Sequence, residues 1–156
     1  MDRLNPKQII VVSSAPQIRY PDCYGIDMAN LGDLIAFRAL LSLLKENNKY
    51  HLIDETYKKC KNQEGIEDRN VVNHVKELYD EFSADEISDR IGELITDSSI
   101  NAKVKTIFQS IENLHKACPD NKGDWYFTGN YPTPGGYKVV NKAFINFYEG
   151  NKERAY

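Results

Sequence analysis

The run "QIIVVSS", Gln8 to Ser14, constrains what this chain can fold into more than any other stretch. Ile9, Ile10, Val11 and Val12 form an unbroken β-branched series, entered from "LNPK" as a turn and ended by Ser, Ala and Pro. A continuous apolar strand of this kind predicts burial on both faces, as in a parallel sheet covered by helices. No other stretch of the sequence reads as convincingly as a strand. A lone parallel strand leaves its backbone N–H and C=O groups unpaired, so Ile9 to Val12 is expected to pair with strands that this sequence does not supply. The expected fold class is therefore α/β and helix-dominated, with one or two strands of a larger parallel sheet.

Directly after the strand comes "SSAPQIRYPDCYGIDMAN", Ser13 to Asn30, polar and crowded with Pro, Gly and aromatic residues. It reads as a loop outside the core. Loops at the carboxyl ends of parallel strands are where open α/β sheets bind ligands. Arg19, Tyr20, Tyr24 and Asp27 are the groups this loop could offer.

Helical signals fill the rest. Asn30 is expected to cap a helix from Leu31, with Asp33 completing an approximate capping box, and "LGDLIAFRALLSLLKEN" carries the apolar face. His51 to Asn62 reads either as a short helix or as a loop, and Gly65 marks a break. Val71, Val72, Val75, Leu78, Tyr79 and Phe82 recur at a helical period, predicting an amphipathic helix from Glu67. Ser83 with Glu86 forms a capping box that opens the next helix, whose face is Ile87, Ile91, Leu94 and Ile95. Val104, Ile107, Phe108, Ile111 and Leu114 make a third stripe, stopped at Cys118-Pro119. These stripes read as core and not as a cofactor box. A last helix is expected from about Lys138 to Glu149, after a Pro/Gly-rich segment carrying Trp125, Tyr126, Phe127, Tyr131 and Tyr137. An aromatic cluster on such a scaffold predicts packing against another surface.

Bulk properties bound the function classes. A length of 156 residues allows one domain with its own core. The formal charge of −3 is the balance of 23 acidic and 20 basic residues, with no basic block to neutralise a run of phosphates. Nucleic acid is therefore not an expected partner. No apolar stretch approaches the ~18–20 residues of a membrane span, and "MDRLNPKQ" lacks the apolar centre of a signal peptide. The expected compartment is the cytoplasm. Cys23, Cys60 and Cys118 are odd in number and widely separated, fitting neither a disulfide framework nor a C-x-x-C metal site. His51, His74 and His115 are equally scattered.

Catalytic readings of individual motifs are thin. "GNYPTPGG", Gly129 to Gly136, lacks the lysine and the strand-loop-helix setting of a phosphate cradle and reads as a structural turn. Ser13 and Ser14 end a strand, but no histidine is placed by sequence to activate either. Asp85, Glu86, Asp89 and Glu93 sit at capping and solvent-face positions of one helix. The residues alone offer no self-contained active site.

Two segments nevertheless carry a resemblance. Ser14, Ala15, Pro16, Arg19, Pro21, Tyr24, Gly25, Ile26 and Asp27, followed by "DLIA" at Asp33 to Ala36, resemble the C-terminal part of the glutamine-dependent amidophosphoribosyltransferases. Those enzymes carry a strand, "S-A-P-x-x-R-x-P-x-x-Y-G-I-D" and a helix with "E-L-I-A". The segment "FTGNYPTP", Phe127 to Pro134, is similar to the family's C-terminal "F-T-G-x-Y-P-T". Together the two segments cover about a quarter of the chain, and the helical middle is longer than is usual for the family.

The resemblance implies part of a type I phosphoribosyltransferase domain, joined in the full enzyme to a glutaminase domain. The family makes 5-phosphoribosylamine, pyrophosphate and glutamate from 5-phosphoribosyl-1-pyrophosphate, glutamine and water, opening purine synthesis. A cysteine thiolate attacks the glutamine amide, and the released ammonia attacks the ribose as Mg²⁺-bound pyrophosphate departs. Residues 1–48 would supply strand, substrate-side loop and helix, residues 49–119 a helical region, and residues 120–156 the aromatic tail and last helix, all of one domain fragment. Ser14, Pro16 and Tyr24 are the expected substrate-proximal residues. The expected partners are the remainder of the parent chain and further subunits of a homo-oligomer, with the aromatic tail between domains or subunits.

Departures from the family pattern shape the expectation further. The chain begins Met1-Asp2 and contains neither the nucleophilic cysteine nor the acidic, Gly/Thr-ended loop that holds ribose phosphate and metal. It therefore reads as a C-terminal piece, inactive alone, with Mg²⁺ ligands lying elsewhere in the full enzyme. Some members hold an iron-sulfur cluster through a C-x-x-C pair, but Gly123 and Tyr126 stand at those positions, so no cluster is expected. The competing reading is a non-catalytic regulatory or interaction module of the same descent, with or without nucleotide binding.

Overall fold

The computed structural model describes residues 4–22, 28–120 and 123–155. Its sheet has two parallel strands, β1 (Gln8–Ser13) and β2 (Lys103–Phe108), in register from Gln8 opposite Lys103 to Ser13 opposite Phe108. Between the strands, four helices form one long crossover: α1 (Ile35–Glu46), α2 (His51–Asn62), α3 (Val75–Tyr79) and α4 (Ala84–Leu94). After β2 come α5 (Ile111–Ala117), α6 (Trp125–Thr128) and α7 (Pro134–Glu149). The protein is thus α/β and helix-rich. Among the described residues no helix is long and apolar enough to cross a membrane.

The expectation of β1 as a strand holds, and two features attached to it do not. Its partner lies within this sequence, where Val104, Ile107 and Phe108 had suggested a helix. The run Lys103-Val104-Lys105-Thr106 alternates polar and β-branched residues, a period of two that fits a strand and outweighs the helical spacing to Ile111. Nor is β1 buried on both faces. Ile10, Val11 and Val12 are 53%, 47% and 70% exposed. Ile9, Val11 and Ser13 share the face of Val104, Thr106 and Phe108, and α4 packs on the β2 side of that face. Gly92 of α4 lets the helix lie so close that a Cβ there would sit 3.0 Å from the Val104 carbonyl oxygen. Thr106 Oγ1 donates to the Ser88 carbonyl at 2.5 Å. The opposite face, with Ile10, Val12 and Ile107, is open.

The core is helical. α1 buries Ala36, Phe37, Ala39, Leu40, Leu43 and Leu44, and α7 buries Val140, Ala143, Phe144 and Ile145 in the same core, with α4 packed on α1 and α2 on α7. Phe37 meets the edges of Phe144 and Phe147 at centroid distances of 6.1 and 5.0 Å. A 3₁₀ turn over Leu31–Asp33 precedes α1, and Asn30 donates to the Asp33 carboxylate at 3.2 Å without capping the helix through its side chain. His51 to Asn62 is a helix, α2, with Ile53, Thr56 and Cys60 buried. The Cys60 thiol donates to Asn141 Oδ1 at 3.5 Å, and burial pushes its pKa up to about 12, which fits a structural thiol.

The Ser83–Glu86 capping box is present in both directions. Of the face expected beyond it, Ile87 and Ile91 are buried, whereas Leu94 and Ile95 are 40% and 45% exposed. The helix expected from Glu67 is reduced to a 3₁₀ turn at Asp68–Asn70 and the short α3. Hydrogen bonding explains the loss: Val72 N donates to Gln63 Oε1, the Val72 carbonyl accepts from Asn141 Nδ2 and His74 N donates to Asn141 Oδ1, so the backbone there is held by side chains from other parts of the chain. α5 buries no residue, so Ile111 and Leu114 are not core. α7 starts at Pro134, four residues before the expected Lys138, because proline is suited to the first helical turn.

Candidate functional site

The segment after β1 is more deeply embedded than its composition suggests. Pro16, Gln17, Tyr20, Pro21 and Asp22 are buried. Ser13 starts the turn, its Oγ donating to the Ala15 carbonyl at 2.9 Å and accepting from Ala15 N at 3.2 Å. Gln17 then inserts between this segment and α4. Its Nε2 donates to the Ala84 carbonyl at 2.7 Å and to Ser88 Oγ at 2.8 Å, and its Oε1 accepts from Arg19 Nε and Nη2 at 3.1 and 2.8 Å. All hydrogen-bonding positions of the amide are used.

Arg19 and Tyr20 are fixed from the other side by the aromatic tail. Both backbone N–H groups donate to the Tyr126 carbonyl, at 2.8 and 3.1 Å. The Tyr131 hydroxyl donates to the Pro21 carbonyl. Tyr79 of α3 donates through its hydroxyl to the Arg19 carbonyl at 3.0 Å, while the Arg19 guanidinium lies 5.2 Å from its ring centroid. Tyr20 packs on the same ring at 5.3 Å, and burial raises the pKa of both phenols, keeping them neutral. Gly129 caps α6 with φ of +71°, where a Cβ would lie 2.8 Å from both Tyr20 and Asn73. Gly129 to Thr133 is thus a structural turn that seats the tail on the loop, while Pro134 to Gly136 begin α7.

The two motif segments therefore meet, although about a hundred residues separate them. The aromatic residues turn towards this chain: Tyr131 is 5% exposed, and Trp125 and Tyr137 pack on the common core. Over the carboxyl ends of the strands, Gln109 N donates to the Ser13 carbonyl at 3.2 Å and Ser110 caps α5. A cleft of about 310 Å³ opens there, lined by Pro16, Gln17 and Arg19 from the first loop, Ser88 of α4, and Gln109 and Ser110 from the second.

Of the expected substrate-proximal residues, Pro16 lines this cleft, Ser14 is exposed at the end of β1, and Tyr24 lies outside the described residues. Gln17, Ser88, Tyr79 and Tyr126 escape a sequence reading, because each acts through a partner more than fifty residues away. The carboxylates of Asp85, Glu86, Asp89 and Glu93 are on an exposed face. Among the described residues there is no group of three or more His, Cys, Asp or Glu placed to hold a metal ion. Comparison with protein-family models, curated proteins and solved structures finds no match to the chain.

Proposed function

We propose that this chain is the C-terminal segment of an amidophosphoribosyltransferase, contributing one wall of the site where 5-phosphoribosyl-1-pyrophosphate meets ammonia. The observation that carries the reading is that the tail bearing the second motif is bonded to the first motif, Tyr126 to Arg19 and Tyr20 and Tyr131 to Pro21, while Pro16 and Arg19 of that first motif line a cleft at the carboxyl ends of two parallel strands. Ligands of open α/β sheets bind at such ends. The bare face and outer edge of β1 also support the reading, since a sheet strand of Ile and Val with 53% and 70% exposure at Ile10 and Val12 is suited to a larger sheet. In this reading the chain binds and orients substrate, while the thiolate and the metal ligands come from elsewhere in the enzyme.

The test is to express the complete gene that encodes this chain and to measure glutamate released from glutamine with and without 5-phosphoribosyl-1-pyrophosphate and Mg²⁺. Release that depends on the phosphoribosyl donor is expected. A folded product that releases none would overturn the enzyme reading, and calorimetric binding of AMP or GMP by that product would establish the non-catalytic nucleotide-binding module in its place.

A further inference from the structure

We infer that Arg19 is an oxyanion-binding residue of the cleft and that Gln17 is its positioning residue. Gln17 is only 4% exposed, and its orientation is fixed by chemistry: the Ala84 carbonyl can only accept, so Nε2 must face it and Oε1 must face Arg19. Oε1 takes the Nε and Nη2 side of the guanidinium. A neutral amide orients that group without cancelling its charge. The Tyr79 ring covers the guanidinium at 5.2 Å, and the backbone is tied at both N and O, so few rotamers remain.

Arg19 carries five N–H donors. Two go to Gln17, and no ion pair or further hydrogen bond engages the others among the described residues. The two terminal nitrogens form the edge that grips a phosphate or carboxylate through paired bonds. Arg19 lines the cleft, as do Asp85 and Glu112, both exposed and neither in an ion pair with it. Ser88 ties the arrangement to the sheet, since it accepts from Gln17 and its carbonyl accepts from Thr106 of β2. An arginine that forms no ion pair among the described residues and faces such a cleft is suited to a phosphoryl or pyrophosphoryl group. Naming pyrophosphate as the natural ligand rests on the proposed function, whereas the anion site itself does not.

The test is a titration of the chain with inorganic pyrophosphate, followed by the Arg19 Nε–Hε resonance and by the amides of Gln109 and Ser110. Saturable shifts are expected, weakened about tenfold or more in Arg19→Met, a loss of ~1.4 kcal/mol or more. Gln17→Met keeps the charge but frees the guanidinium, so it should weaken binding less and broaden the Nε–Hε signal. Arg19→Lys, which retains charge and fold, should bind more weakly than the native chain because it lacks the paired edge. Absence of shifts at Arg19, or equal affinity in native, Arg19→Met and Arg19→Lys chains, would overturn the proposal. Pyrophosphate binding at Arg19 in a gene product without glutamate release would leave this site standing and remove the enzyme reading. Release without binding at Arg19 would do the reverse.

Discussion

The helical body and the two-stranded sheet solve the same problem with different success. In the body, Phe37, Leu40 and Leu44 of α1 and Val140 and Phe144 of α7 are each wholly buried in one core. In the sheet, Val12 is 70% exposed and, among the described residues, each strand has one neighbour only, although Ile9 to Val12 is just as apolar. A helix closes its backbone hydrogen bonds within itself and needs only one covered stripe, whereas a strand needs neighbours on both edges and cover on both faces. Hydrophobicity therefore fixes which segments want burial, and the geometry of each element decides how many partners that takes.

The largest effect that would break this contrast is truncation in the helical core. Phe37→Ala should cost ~3–5 kcal/mol, because it empties the ring site between Phe144 and Phe147. Val12→Ala, on the open face of β1, should cost under ~0.5 kcal/mol. Urea midpoints of the two variants measure the difference, and comparable losses would show that the sheet face is covered in solution. Next in size is Gly129→Ala, expected to cost ~1–3 kcal/mol because φ of +71° disfavours a side chain and the new Cβ meets Tyr20 and Asn73. That variant sharpens the comparison, since its damage should also loosen Arg19 and Tyr20. A drop in melting temperature without broader amide signals for those two residues would mean that the tail and loop are not coupled.

A third test concerns association. The strand Gln8–Ser13 carries no charged residue, although charge is the usual protection of an exposed edge. Light scattering should show the native chain self-associating as concentration rises, and Val12→Lys should suppress this with little change in melting temperature. A native chain that stays monomeric at high concentration would mean that the edge is shielded by something other than charge.

How much was legible follows the same division. Local signals were sound where one residue and its near neighbours decide the outcome: the Ser83–Glu86 box, the apolar face of α1, the strand at Ile9 to Val12. They failed where a distant partner decides. Lys103 to Phe108 carries both a helical and an alternating pattern, and pairing with β1 selects the second. Val71 to His74 leaves the helix because the side chains of Gln63 and Asn141 take its backbone hydrogen bonds. At the site, Arg19 and Pro16 could be singled out from the loop, but Gln17 looked like one more polar loop residue until Ala84 and Ser88 were brought to it. The aromatic tail reads as a packing surface, and within this chain Tyr126 and Tyr131 bond to the loop.

The smallest effect isolates a purely local interaction. Hydrogen bonds from the Ser83 hydroxyl and then the Ser83 backbone N–H hold the Glu86 carboxyl below its usual pKa. A depressed carboxyl pKa stabilises the fold above the unfolded value of about 4.3 and loses that contribution as pH falls through the lower folded value. Glu86→Gln should therefore be slightly less stable than the native chain at neutral pH, with the gap closing across that acidic window. Melting curves at pH 7 and at successively lower pH measure it. A gap independent of pH would show that the box acts through hydrogen-bond geometry alone, and it would place this cap with the packing of the helical body, where charge plays no part in the outcome.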